Sequence, residues 1–186
     1  MRITGGVWCS RRLRGPGRSI PLRPTPDATR ERAFAVLGEH VVGARVLDLF
    51  AGTGAIGLEA LSRGAASVTF VEQHRAAARL IRANLEGLGV PEATAVVLVR
   101  EARRAVPVLA RRGEAFDLIW ADPPFASWER GLEALAEARA GGILAADAVA
   151  CLECPDRAAL ELPVGLELLR DLTGSGSRVV LLRPAG

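Results

Sequence analysis

Little in this 186-residue chain suits it to a structural metal, a disulfide framework or a membrane. Its three cysteines, Cys9, Cys151 and Cys154, are an odd and sparse set. Such a set makes no disulfide framework and fits a reducing compartment. Cys151 and Cys154 form a C-x-x-C, but no second Cys or His pair accompanies it, and His40 and His74 stand alone. No metal site is therefore expected. On a strand the two cysteines would point to opposite faces and read as buried residues. No apolar run reaches the roughly 18 residues of a membrane span, and the N-terminus lacks the apolar core of a signal peptide. A cytoplasmic protein without a membrane partner is expected. Internal repeats and low-complexity linkers are also missing. The hydrophobic fraction of 49% and the charged fraction of 24% are ordinary for a globular chain with a sizeable core.

Lysine is absent: all 24 basic residues are arginine, and they are unevenly spread. Residues 1–32 hold eight arginines against two acids, a net +6, while the remainder holds 16 against 19, a net −3. A basic segment beside a slightly acidic body points to a polyanion partner. Residues 1–24 are rich in glycine and proline and read as a short β-hairpin or extended arm outside the main core. Residues 25–186 read as a second unit, the main domain.

That unit opens with a helical pattern over "TPDATRERAFAVLGEHV", with a capping-type start and with Ala33, Phe34, Val36 and Leu37 on one face. Strands and helices then alternate. "ARVLDLF" precedes "AIGLEALSRG", "SVTFVE" precedes "RAAARLIRANLEGLG", and "TAVVLV" precedes "ARRAVPVLARR", where Pro107 is expected to limit or kink the helix. "FDLIWA" precedes "WERGLEALAEARA", and strand "AVACLEC" follows. "GLELLRDL" and "SRVVLLR" close the chain as an antiparallel hairpin. Apolar strands alternating with helices predict an α/β fold, a doubly wound and mostly parallel sheet with helices on both faces.

"LDLFAGTGAIGLEAL" places Gly52, Gly54 and Gly57 in a G-x-G-x-x-G spacing, and Glu72 follows Gly54 by 18 residues at the end of the second strand. That is close to a dinucleotide fingerprint. Asp48, four residues before Gly52, argues against it. A pyrophosphate at this loop would be repelled by a neighbouring carboxylate. S-adenosylmethionine carries an amine, a sulfonium and no phosphate, and its ribose hydroxyls could donate to Glu72. Asp48, Glu72, Glu101 and Asp122 all fall at or just beyond the carboxyl ends of strands, where α/β sheets bind ligands. Glu101 either faces the adenine edge or is an exposed acid at a helix start.

The fourth strand runs into "DPPF", Asp122 to Phe125. Two prolines stop a strand and stiffen the backbone beyond it. The function of that rigidity is to aim groups. Asp122 and the Pro123 carbonyl can each accept one N–H of an exocyclic amine. They would hold its nitrogen about 3 Å from a methyl donor and stabilise the developing positive charge. Phe125 offers a face on which an extruded base stacks.

These blocks, with "MRITGGVW", "LRPTPDATRERAF" and the "CLE" strand, resemble the bacterial 16S ribosomal RNA guanine-N2 methyltransferases over nearly the full chain. The resemblance implies a Rossmann-like methyltransferase domain that uses S-adenosylmethionine to make N2-methylguanine in the small subunit or its assembly intermediate. It implies catalytic roles for Asp122, Pro123 and Phe125. Cofactor contacts would come from Asp48, Phe50, Gly52, Gly54, Glu72, Gln73, Glu101, Ala102 and Asp122. The basic arm is expected to supply RNA contacts from Arg2, Arg11, Arg12, Arg14, Arg18 and Arg23, and a monomer is expected. Ala35, Gln73, Glu101 and the "LTG" near the last hairpin depart from the family pattern. The alternatives are a methyltransferase for another amine, such as adenine or a protein glutamine, a non-catalytic RNA-binding assembly factor, or a nucleotide-binding oxidoreductase.

Overall fold

The computed structural model describes residues 1–16, 26–174 and 176–186. Helix α1 (Asp27–Leu37) precedes an alternating series. It comprises β1 (Arg45–Leu49), α2 (Ala55–Ser62), β2 (Ser67–Glu72), α3 (Arg75–Leu88), β3 (Ala95–Val99), α4 (Ala102–Arg111), β4 (Phe116–Ala121), α5 (Glu129–Ala140) and β5 (Leu144–Cys154). Strands β6 (Leu166–Gly174) and β7 (Ser177–Pro184) close the fold. They form one sheet in the order β3-β2-β1-β4-β5-β7-β6. Strands β1 to β5 pair in parallel, and β7 runs antiparallel between β5 and β6. The strand order reverses between β1 and β4, so a crevice opens there at their carboxyl ends. The doubly wound sheet and its antiparallel close are as the sequence predicts.

Two apolar cores lie on the two faces. Phe34, Leu58, Phe70, Ile81 and Trp120 build one beneath α1, α2 and α3. Leu47, Leu109, Ile119, Leu135 and Leu152 build the other beneath α4 and α5. Phe34 lies stacked on Trp120, ring centroids 5.9 Å apart, and so seats α1 on the sheet.

Four local expectations need correction. Helix α1 starts at Asp27 with Pro26 at its N-cap and no side-chain cap bond, and Thr25 lies outside the described residues. Val36 is exposed, and Arg30 takes its place on the buried face. Helix α4 runs through Pro107. Pro107 and Arg103 are both exposed, so the helix face that lacks the i→i−4 hydrogen bond lies at the surface. The basic arm is also more than a surface tail. Arg2 and Arg12 form an antiparallel bridge, and Ile3 and Leu13 on its inner side are buried in the first core. Composition hides this, because two apolar residues on one side of a hairpin suffice to dock it.

Polar contacts fasten the same arm. Glu59 of α2 is fully buried. It accepts hydrogen bonds from the Thr4 N–H at 2.8 Å, the Thr4 hydroxyl at 2.7 Å, Arg63 Nε at 2.8 Å and Arg30 Nε at 3.3 Å. Arg30 also donates to the Arg2 carbonyl and to Asp27 at 2.9 Å. The "RPT…D…RE" block is thus, at Asp27 and Arg30, a clamp on the arm. Asn84 of α3 ties the arm from another side. It accepts from the Arg14 N–H at 2.8 Å and donates to the carbonyls of Arg14 and Thr53, each at 3.2 Å.

Candidate active site at the carboxyl rim of the sheet

Side chains alternate faces along a strand, and the register aligns those on the α1–α3 face into rows. Phe70, Asp48, Trp120 and Cys151 form one row across β2, β1, β4 and β5. Two residues nearer the carboxyl ends, the same face carries Glu72, Asp122 and Glu153. A cavity of about 660 Å³ lies over this rim, a size typical of small-ligand sites. Of the residues predicted for the site, Asp48, Phe50, Gly52, Glu72, Gln73, Glu101, Ala102, Asp122, Pro123 and Phe125 line it. Gly54 does not; it shapes the loop as the N-cap of α2.

The loop between β1 and α2 turns through three left-handed residues: Phe50 at φ 62°, Gly52 at 55° and Gly54 at 79°. Glycine adopts this conformation without penalty. Phe50 does not, and strain of this kind gathers at functional sites. Gly57 is needed for close approach, since a Cβ there would lie 2.3 Å from Phe70.

Asp48 is not the solvent-facing rim acid that the sequence suggests. Only 1% of it is exposed, and its Oδ2 accepts the Gly57 N–H at 3.0 Å. It therefore braces the start of α2 from below. Burial pushes its pKa up to about 8; the Gly57 N–H opposes the shift, and the charges of Asp122 and Glu72 add to it. Unfolded, the group would titrate near its ordinary value of about 3.9. Between those values the folded state holds the extra proton, so this group's contribution to stability falls as pH rises from about 4 to about 8. Asp48→Asn, which cannot ionise, is expected to remove that fall. Relative to the wild type, its Tm should rise by about 10 °C or more between pH 4 and pH 8. Thermal melts at the two pH values measure this, and a difference independent of pH would refute it.

Glu72 is buried and has a positioning role that its sequence position did not reveal. Its Oε2 accepts the Gly52 N–H at 2.8 Å and its Oε1 the His74 N–H at 2.6 Å. One carboxylate thus joins the glycine loop to the turn after β2. Each oxygen keeps a second lone pair for a donor in the cavity.

The DPPF segment leaves β4 with Asp122 and Phe125 half-buried, Pro123 buried and Pro124 exposed. Helix α5 presses on it. A Cβ at Gly131 would lie 2.6 Å from Leu152 and 2.9 Å from Pro123, so only glycine allows this approach. The segment is held by its prolines and by a packed helix together.

Glu101 precedes α4, makes no side-chain capping bond and lies 3.7 Å from Arg104, with its side chain 41% exposed. Ala102 beside it is buried, while Gln73 is exposed. The side chains of Arg2, Arg11, Arg12 and Arg14 are on the surface of the arm. Arg18 and Arg23 lie outside the described residues. Among the described residues no cluster of three or more His, Cys, Asp or Glu is arranged to hold a metal, and no helix is long and apolar enough to cross a membrane.

The family described as Conserved hypothetical protein 95 matches residues 1–182. Ribosomal RNA small subunit methyltransferase D of Escherichia coli strain K12 is 42% identical over 132 residues, 71% of this chain and 62% of that protein. The Haemophilus influenzae protein of the same name is 35% identical over 125 residues, 67% of this chain and 64% of that protein. The chain belongs to this small-subunit ribosomal RNA methyltransferase family. It thus spans a little under two thirds of the length of these two relatives. Among solved structures, Escherichia coli yhhF is 34% identical, with 99% of this chain and 97% of that chain covered at a TM-score of 0.81. A hypothetical protein of Thermus thermophilus is 30% identical, with 98% and 99% covered at a TM-score of 0.80. SMU.776, solved as a complex with SAH, shares the fold at 16% identity and a TM-score of 0.63, covering 80% of this chain and 48% of that one.

Within this family frame, several residues escape sequence reading. Arg30 and Glu59 sit in helices whose patterns look unremarkable, and their contacts with each other and with the docked arm appear only in the fold. Asn84 carries no motif. Glu153 and Ser177 also line the cavity. The period-2 alternation of β5 could have placed Glu153 on the face of Cys151, but the register with β4 was not legible.

Proposed function

We propose that this chain transfers a methyl group from S-adenosylmethionine to the exocyclic N2 of a guanine in 16S ribosomal RNA. The substrate is the small ribosomal subunit or its assembly intermediate, and the protein acts as a cytoplasmic monomer. The observation that carries the reading is the row Glu72, Asp122 and Glu153 above buried Asp48, in a cavity beside a rigid DPPF segment.

Such a lining fits S-adenosylmethionine. Acceptor-only carboxylates favour a ligand with hydroxyl and ammonium donors and disfavour phosphates. Glu72 would take the ribose hydroxyls, the strained loop at Phe50 and Gly52 the amino-acid end, and Gln73, Glu101 and Ala102 the adenine side. When bound, the cofactor supplies an electrophilic methyl on a sulfonium that departs as a neutral thioether. The protein's work is orientation. Asp122 and the Pro123 carbonyl accept the two N–H groups of the base's amine and direct its lone pair. Asp122 would face the positive charge that grows on the nitrogen as it gains the methyl group, until the nitrogen sheds one proton to water. Phe125 stacks the extruded base and excludes solvent.

Calorimetry tests the cofactor, with micromolar binding of S-adenosylhomocysteine and none of NAD expected. Nucleoside mass spectrometry of small subunits from a deletion strain tests the product, which should lack one N2-methylguanine. Binding of NAD alone, or an unchanged nucleoside profile, would overturn the reading.

The arm is the proposed RNA contact. Arg2, Arg11, Arg12 and Arg14 face solvent while Ile3, Leu13 and Glu59 fix the backbone, so the arm presents charge at low entropic cost. Arg11→Ala, Arg12→Ala and Arg14→Ala combined should weaken RNA binding and flatten its salt dependence by about 0.7 log units per lost phosphate contact. Cofactor affinity should stay within about twofold, because the three side chains are absent from the cavity lining. RNA affinity at several salt concentrations, beside cofactor calorimetry, measures both. An unchanged slope with lost cofactor binding would make the arm part of the cofactor site instead.

A further inference from the structure

Among the polar side chains that line the cavity without a part in the steps above are Glu153 of β5 and Ser177 at the start of β7. Resting on the guanine reading of this same site, we propose that Glu153 accepts the N1–H of the target guanine and Ser177 donates to its O6. The pair would thereby restrict the reaction to guanine.

The placement follows from register. Ala121 pairs with Leu152 across parallel β4 and β5. Asp122 and Glu153, one residue further on, therefore leave the sheet side by side on one face, about 4.8 Å apart at the backbone. Strand β7 pairs antiparallel with β5, with Cys154 opposite Arg178, so Ser177 begins β7 at the same rim. Acceptor, acceptor and hydroxyl thus run in order across β4, β5 and β7.

Both added groups are built into the cavity wall. Glu153 is 2% exposed and Ser177 4% exposed, and the Ser177 hydroxyl has no hydrogen-bond partner among the described residues. Burying such a hydroxyl costs free energy unless a partner is supplied. The Watson–Crick edge of guanine matches the row in sequence: the N2 amine, the N1–H donor and the O6 acceptor. Adenine presents the reverse at the middle position, because its N1 is a bare lone pair. Opposed to the acceptor-only Glu153 carboxylate, it is repelled and left unpaired. A site built to bond a substrate N–H discriminates strongly against an analogue that lacks it. Glu153 is thus a specificity-determining residue, while Asp122 orients the reacting amine whatever ring carries it.

The test separates this role from a structural one. The nucleotide methylated by the wild-type protein is mapped by mass spectrometry of small subunits. That position is then rebuilt by RNA ligation as guanine or as 2,6-diaminopurine, which keeps the 2-amino group but has a bare N1 and an amine at C6. Wild type is expected to favour guanine about 100-fold or more in kcat/KM. Glu153→Gln, whose amide can donate to the bare N1, should bring the ratio within about tenfold, with cofactor affinity unchanged. A merely structural residue would lower both rates and preserve the ratio. An unchanged ratio in Glu153→Gln overturns the assignment, as does equal use of the two bases by wild type. Should Glu153→Gln not fold, the wild-type comparison still decides: a strong guanine preference upholds the assignment and equal use sinks it. If wild type methylates no guanine at all, the proposed function itself falls, and Glu153's role with it.

Discussion

Asp122→Ala is expected to cut the methylation rate about 100-fold or more while cofactor affinity stays within about threefold, as the loss of a group acting mainly in the transition state does. The chain puts this carboxylate at the end of a buried strand, beside Glu153 of neighbouring β5 and in front of two prolines. The packing of Gly131 against Pro123 leaves the segment little room to compensate by moving. Asp122→Asn keeps one acceptor oxygen but no charge, and its loss should be smaller, about tenfold. Single-turnover methylation with cofactor calorimetry on both variants is the measurement. A wild-type rate in Asp122→Ala would defeat the orienting role, and a parallel collapse of cofactor binding would reassign Asp122 to the cofactor.

Glu59→Ala should have the largest effect on stability, about 3–5 kcal/mol, because it takes away the buried carboxylate that faces the Arg30 guanidinium and leaves the partly exposed Asp27. Arg30 is wholly buried beside Glu59, and Thr4 and Arg63 depend on the same two oxygens. In a chain of this size the Tm should fall by about 10 °C. The arm should also loosen from α2, so RNA affinity should drop even though the loss of an acidic side chain alone would raise it. Glu59→Gln, which keeps acceptor geometry on one oxygen, should lie between. Thermal melts and RNA binding on the three proteins check this, and a Tm within about 2 °C of wild type would show that Glu59 does not hold the arm.

Much of this protein was legible in one dimension, for physical reasons. Strand and helix periods differ, so alternating apolar patterns give the doubly wound sheet without reference to contacts. Glycine at left-handed positions and paired prolines act on their own backbone, so the β1–α2 loop and the DPPF stop announce themselves locally. The carboxyl-end rule then places Glu72 and Asp122 near one cavity.

What the sequence could not carry is whatever depends on which strands and helices lie side by side. Burial turned Asp48 from a rim anion into a brace with a raised pKa, because desolvation is a property of the surroundings and not of the residue. Docking turned Arg30 from one more charge in a basic segment into a buried clamp, and turned an arm of glycine and arginine into part of a core. Register set Glu153 beside Asp122 across strands 31 residues apart in the chain. Local chemistry fixes what each residue can do; only the pairing of distant segments decides which groups lose water and which groups they face.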